Sequence, residues 1–249
     1  MMLQMKNITV RFGGLTANKD ASLDVQKGSI TGLIGPNGAG KTTLFTVASG
    51  FLKPNEGQVL FNDQDITALP PYKRASMGMA RTFQIVQPFA GLTTLENITI
   101  GAYLRHTHRD DAFQKAREVG IRVGLEKELN RPASGLTISG RKRLELARAL
   151  ATEPQLILLD EVLAGLNPSE IKNIIPVIQD IRASGVTVFM IEHVMQAVVS
   201  LCDYVYVLSQ GQLIAQGTSA QVVADPHVIE AYLGHGAAAR LAEKETHHA

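Results

Sequence analysis

The sequence predicts an α/β fold with a mainly parallel sheet, an antiparallel β region near the N-terminus and an inserted helical segment. Three observations carry this. A strand-like run at 29–34 leads straight into a Gly-rich loop and then a helical pattern. Two further apolar runs, at 156–159 and 186–191, read as parallel strands buried on both faces. From about 85 to 150, strand patterns give way to helical ones. Strands and helices alternating around a strand–loop–helix unit imply a parallel sheet flanked by helices.

Taken in order, residues 3–12 and 23–25 read as short strands. The segment 41–49 reads as a helix, with Gly50 where a left-handed C-terminal cap is wanted. A strand returns at 58–61, and Asn62-Asp63 supplies a turn. Helical patterns follow at 94–103, 110–123 and 140–151. After the strand at 156–159, Asn167 caps a helix, Pro168 takes its first position and Glu170 completes a capping box. Pro176 is expected to kink that helix, since an interior proline costs about 3 kcal/mol. Gly185 ends it. Runs at 204–208 and 212–215 flank Ser209-Gln210-Gly211 as a hairpin. Beyond Gly234 the chain turns to Ala, charge and His, which predicts a disordered tail at 235–249.

Composition narrows the function. A 249-residue chain that is 45% hydrophobic has ample material for a core. Its net charge of +1 argues against nucleic acid, whose phosphates call for a strong basic excess. The densest basic run, Arg141-Lys142-Arg143, reads as a solvated helix face. The lone Cys202 has apolar neighbours and reads as a buried, inert thiol. The first residues lack the basic-then-apolar pattern of a signal peptide. No apolar run approaches the roughly 20 residues of a membrane span, so any membrane work falls to a partner.

Gly35-Pro36-Asn37-Gly38-Ala39-Gly40-Lys41-Thr42 fits G-x-x-x-x-G-K-[ST]. Glycines let successive amides curl around phosphate oxygens, and the following helix adds its positive N-terminal end. Lys41 reaches the β- and γ-phosphates, and the Thr42 hydroxyl holds Mg²⁺. Thr43 continues the loop into the helix. A Gly-rich turn that merely precedes a helix is the alternative. The strand before and helix after favour ATP.

Leu156-Ile157-Leu158-Leu159-Asp160-Glu161 ends a buried strand with two carboxylates, at the C-terminal end of the strand, where open parallel sheets bind ligands. Neighbours on a strand point to opposite faces, so the two acids are expected to differ in task. Asp160 suits the Mg²⁺ shell, and Glu161 suits the role of base toward a water.

These motifs, in their order and spacing, resemble the ATPases of ABC transporters over residues 3–234. Gly35 to Thr43 resembles the family's Walker A, and 156–161 its Walker B with the catalytic Glu. Arg81-Thr82-Phe83-Gln84 resembles its Q-loop, and Ile191-Glu192-His193 its H-loop. Phe12 sits where the family places a ring on adenine. The resemblance implies a P-loop NTPase with a RecA-like core at 1–85 and 152–234 and a helical subdomain at 86–151. It implies that Gln84 contacts Mg²⁺ or the attacking water and that His193 bonds the γ-phosphate. It also implies transmembrane permease subunits, a second ATPase subunit (the same chain or a different one), and indirectly a periplasmic or extracellular solute-binding protein. Such a chain sits at the cytoplasmic face of the inner or plasma membrane.

Phe12-Gly13-Gly14-Leu15, Ala80 to Gln84, Ala164-Gly165-Leu166-Asn167-Pro168 and Ala231-Tyr232-Leu233-Gly234 resemble the ATPases of branched-chain amino acid importers. Urea and amide importers and the lipopolysaccharide-export ATPase share much of this pattern. Two departures stand out. The family's Leu-Ser-Gly-Gly-Gln signature appears as Leu136-Thr137-Ile138-Ser139-Gly140. Thr137 keeps a hydroxyl, but both signature glycines are replaced, and Ile138 resists a positive φ. A slipped register would instead present Ser139 and Gly140 to the partner's phosphate. Asn167 also stands where Asp is usual. A soluble, non-transport ABC ATPase and a scaffold without turnover are the competing readings. One cassette and near-zero charge argue against the first. Lys41, Asp160, Glu161 and His193 together argue against the second.

Overall fold

The computed structural model describes residues 1–84 and 87–233. The tail expected to be disordered, at 235–249, lies outside the described residues.

The chain opens with β1 (Leu3–Phe12) and β2 (Leu15–Val25), then β3 (Ile30–Ile34) and α1 (Lys41–Ala48). β4 (Glu56–Phe61), β5 (Gln64–Asp65), α2 (Pro71–Ser76) and β6 (Met79–Arg81) follow. Three helices come next: α3 (Thr94–Ala102), α4 (Arg109–Arg122) and α5 (Ile138–Leu150). Then β7 (Leu156–Asp160), α6 (Pro168–Ala183), β8 (Thr187–Ile191) and α7 (Met195–Leu201) alternate. β9 (Tyr204–Ser209), β10 (Gln212–Gly217), α8 (Ser219–Ala224) and α9 (Pro226–Leu233) complete the described chain.

Two sheets form. One is antiparallel, in the order β2-β1-β4-β5. The other runs β10-β9-β3-β8-β7-β6, parallel except where β10 pairs with β9. Period-2 alternation explains the packing of the second sheet. On β7, Leu156 and Leu158 join the core that holds α1 against the antiparallel sheet, while Ile157 and Leu159 join the core under the helices. On β8, Phe189 and Ile191 face the first core, Val188 and Met190 the second. A strand buried on both faces needs an unbroken apolar run, which is why these strands were visible in the sequence. Truncating Leu158 to Ala would cost about 2–5 kcal/mol.

Two expectations shift, and the expected turns are present. β2 extends back to Leu15, because its outer half is held by pairing with β1 and not by burial. α6 runs through Pro176 without interruption. The proline lies on the solvent face, opposite the buried Ile174, Ile178 and Ile181, and the Asn167–Glu170 capping box fixes the helix start. Asn62 and Asp63 both take positive φ in the β4–β5 turn, as Gln210 and Gly211 do between β9 and β10, the requirement of tight hairpins.

Arg74 on α2 is almost fully buried and donates to the carbonyls of Val47, Ala48, Ile66, Thr67 and Leu69. Its guanidinium neutralises the negative C-terminal end of α1, and burial pulls its pKa down to about 10. That anchors the helix whose other end forms the site. Cys202 is buried as expected, and desolvation pushes its thiol up to about 12.

Candidate nucleotide site

β3 ends at Ile34 and the chain enters the loop with Gly35 at φ +148. A Cβ there would stand 2.0 Å from the Leu208 carbonyl oxygen of β9. At Gly40, φ is +100 and a Cβ would stand 2.5 Å from the Ala17 carbonyl oxygen. These two glycines are steric necessities. They let the loop pass between β9 and β2 and turn into α1. Gly40 caps that helix without a side-chain hydrogen bond, so the first-turn amides keep their donors for a ligand. Lys41 Nζ donates to the carbonyls of Gly35 at 2.7 Å and Pro36 at 2.9 Å. Desolvation lowers its pKa, opposed by the nearby Glu161 and Asp160.

Beside this loop lies a cavity of about 510 Å³. Asn37, Gly38, Ala39, Gly40, Lys41, Thr42 and Thr43 form one wall, and Phe12 and Thr16 of the β1–β2 hairpin form another. Glu161 and Gln210 close it. The Phe12 ring is half-exposed at its rim.

The two acids diverge for a reason other than strand alternation. Asp160 is the last residue of β7, buried, with Oδ2 2.8 Å from Arg81 Nη2. Desolvation pushes its carboxyl up, and Arg81 pulls against that shift. Glu161 has already left the strand. Its φ is +49, a left-handed conformation that side-chain-bearing residues seldom adopt. Its amide donates to the Ile191 carbonyl at 3.1 Å, and its carboxylate accepts from Gln84 Nε2 at 2.6 Å. The left-handed turn, and not the pleat, aims Glu161 into the cavity.

His193 lies exposed on the loop after β8 and does not line this cavity. Nor do Thr137, Ser139 and Gly140. Thr137 is the N-cap of α5, and its hydroxyl accepts the Gly140 amide at 3.1 Å. Ile138 is 64% exposed and helical, so the positive φ expected to trouble it is not required.

The basic run is only in part a solvated face, since Arg141 is exposed and Arg143 half-buried. Lys142 is buried, and its Nζ donates to the Gln84 and Glu161 carbonyls at 3.2 and 3.1 Å. Arg141 donates to the carbonyls of Ser134 and Leu136, and Arg143 to those of Val123 and Asn173. These cations serve main-chain carbonyls, most of them in loops and turns. Arg81, Lys142 and Glu192 are thus the site-proximal residues that sequence reading left without a role. Arg81 and Glu192 lay inside motifs already singled out, and only tertiary placement reveals their partners.

A family model described as "ABC transporter" matches residues 18–164, and one described as "Branched-chain amino acid ATP-binding cassette transporter" matches 212–238. The chain is 38% identical to the high-affinity branched-chain amino acid transport ATP-binding protein LivG of Escherichia coli, covering 94% of this chain and 98% of that one. It is 37% identical to BraF of Pseudomonas aeruginosa over the same shares. Among solved structures, a nucleotide-free ATP-binding cassette from an ABC transporter superposes with a TM-score of 0.85 at 35% identity, covering 93% of this chain and 98% of that one. The ADP conformation of an ATP-binding cassette of an ABC transporter does so with a TM-score of 0.85 at 35% identity, over 94% and 99%. With the phosphate loop, the acid-ended strand and these likenesses in register, the chain belongs to the ABC transporter family as one of its nucleotide-binding cassettes.

Proposed function

We propose that this chain hydrolyses MgATP to drive import of branched-chain amino acids through separate permease subunits. The observation that carries the reading is the convergence on one cavity of Lys41, the open first turn of α1 and a Glu161 aimed by its left-handed backbone. The loop amides and Lys41 bind the β- and γ-phosphates, and Phe12 stacks on the base. Glu161 takes the proton of the attacking water, which Gln84 helps to orient. Thr42, Asp160 and Gln84 offer oxygen donors of the hard type that Mg²⁺ prefers. Among the described residues there is no cluster of His, Cys, Asp and Glu that would hold a metal alone, which fits an ion bound mainly by phosphates and water. Mg²⁺ held there would supply positive charge against the charge developing on the phosphates. His193, on the loop after β8, bonds the γ-phosphate of the same site and keeps the water aligned with Glu161, while Thr137, Ser139 and Gly140 act across a dimer, on the nucleotide of a second cassette. The amino acid substrate rests on what LivG and BraF are named for.

Coupling to the permease has a surface to work through. A groove of about 340 Å³ runs between α2, β6, α3 and α5. Phe51, Tyr72, Phe83 and Ile100 line it and are exposed, an apolar patch that marks an interaction site. Phe83 packs edge-on to Phe51 at 5.8 Å, with Arg81 5.5 Å from its ring centre. Gln84 follows Phe83 and bonds Glu161, so a partner pressing on the groove acts one residue from the side chain that holds the base. Among the described residues no helix is long and apolar enough to cross a membrane. Docked by this groove, the chain works at the cytoplasmic face of the membrane beneath its permease. The division into a core at 1–85 and 152–234 and a helical subdomain at 86–151 lets the groove open and close with nucleotide.

Lys41→Ala tests the nucleotide assignment. Titration with a fluorescent ATP analogue is expected to show a large loss of affinity with little change in the melting temperature of the nucleotide-free protein. Unchanged affinity overturns the phosphate-loop reading.

A further inference from the structure

Glu161 and Gln210 are the two cavity-lining residues other than glycine held at positive φ, and Glu161 is the one that carries the proposed chemistry. A left-handed backbone on a side-chain-bearing residue persists only where its surroundings over-determine it. Three contacts do so here. The Glu161 amide donates to Ile191, and its carbonyl accepts from Lys142 Nζ at 3.1 Å. Two residues on, the Leu163 amide donates to Glu192 Oε1 at 3.0 Å.

Glu192 is only 1% exposed, and its Oε2 makes no hydrogen bond. Nothing in the proposed chemistry uses it, yet a buried, half-satisfied carboxyl is costly. It sits immediately before His193, and Ile191, on its other side, holds the Glu161 amide. Lys142 belongs to α5, the helix that Thr137 caps, and the same ammonium also holds the Gln84 carbonyl. The turn 161–163 is therefore gripped from the helical side by a cation and from the strand side by a carboxyl group.

We infer that Lys142 and Glu192 are positioning residues that clamp the turn 161–163 and so hold Glu161 in its left-handed, cavity-facing conformation. The clamp also ties that turn to Gln84 on one side and to His193 on the other. This rests on Glu161 being the base, and the test separates the two claims. Neither residue touches the nucleotide cavity, so removing either lowers turnover and leaves nucleotide binding intact.

The experiment compares Glu192→Ala, Glu192→Gln, Lys142→Met and Lys142→Arg in the assembled transporter, with melting curves as a check on folding. Glu192→Ala and Lys142→Met are expected to lower kcat about tenfold or more, the scale of a displaced catalytic group. KM for ATP stays within about twofold. Glu192→Gln, which keeps an acceptor for Leu163, and Lys142→Arg recover part of the loss. The decisive arm repeats Glu192→Ala and Lys142→Met in a Glu161→Gln background. Positioning through Glu161 predicts no further fall there. A folded Glu192→Ala or Lys142→Met variant with undiminished kcat overturns the clamp, as does an equal fall with and without Glu161. If Glu192→Ala does not fold, Lys142→Met carries the same test. Near-normal turnover in Glu161→Gln alone overturns the assignment of the base and not the geometry of the clamp.

Discussion

The phosphate loop at 35–43 and the degenerate signature at 136–140 both end as the N-terminus of a helix, yet they solve that end differently. At Gly40 no side chain caps α1, and the free amides face a cavity in the same chain. At Thr137 the hydroxyl caps α5 by accepting the Gly140 amide, and the segment lies away from that cavity. One site is built by backbone within a single chain and tolerates no Cβ at Gly35 or Gly40. The other presents a helix end outward, so its meaning depends on what docks there. That contrast explains how the first motif matches its pattern in full while the second departs from its family pattern without a steric conflict.

The comparison can be broken from the signature side first. Ser139→Glu places a negative charge in the first turn of α5, where a partner's γ-phosphate would approach. Turnover of the assembled transporter is expected to vanish through like-charge repulsion, while ATP binding by the isolated subunit persists. Full activity would mean that this loop does not face a phosphate. On the phosphate-loop side, Gly35→Ala forces a Cβ onto the Leu208 carbonyl. A loss of about 3 kcal/mol or more in chemical denaturation is expected, the range of backbone strain and overpacking in a core. A variant as stable as the parent would show that the loop can move off β9.

A smaller effect sharpens the clamp. Desolvation raises Glu192 to about 7, with Glu161 adding to the shift and Lys142 and the amides of Leu163 and His193 opposing it. The folded state then binds a proton that the unfolded state has released. Stability from this group is complete below about pH 4.5 and is lost as pH rises toward 7. Parent minus Glu192→Gln stability should therefore fall across that window, by an amount on the order of 3 kcal/mol. A flat difference would mean that Glu192 is ionised throughout. Smallest is Thr137→Ala, which removes a helix cap worth about 1 kcal/mol and should lower turnover only modestly if backbone donors do most of the signature's work.

What the sequence made legible follows the same divide between local and tertiary causes. The phosphate loop, the doubly buried β7 and β8 and the Asn167 capping box depend on neighbours along the chain, and their residues announce them. The short helices α2, α7 and α8 do not, because six or seven residues carry too little periodicity. Arg74, buried among carbonyls of two segments, looks like any surface arginine until the fold brings those segments together. Lys142 misled for the same reason. Its neighbours in sequence are basic and suggest solvent, while its neighbours in space are the Gln84 and Glu161 carbonyls. That Asp160 and Glu161 face different surroundings is expected from strand alternation, but the structure owes it to a left-handed φ at Glu161, which cannot be read from a carboxylate's identity.

The most direct test of the central claim is Glu161→Gln, which keeps the shape and the hydrogen-bonding reach of the side chain but removes the base. Nucleotide affinity should match the parent, and ATP turnover in the assembled transporter should fall about 10²-fold or more, the usual scale for a positioned acid–base group. Near-normal turnover with normal binding would contradict the account, because the strained turn at 161 would then be aiming a side chain that the chemistry does not need.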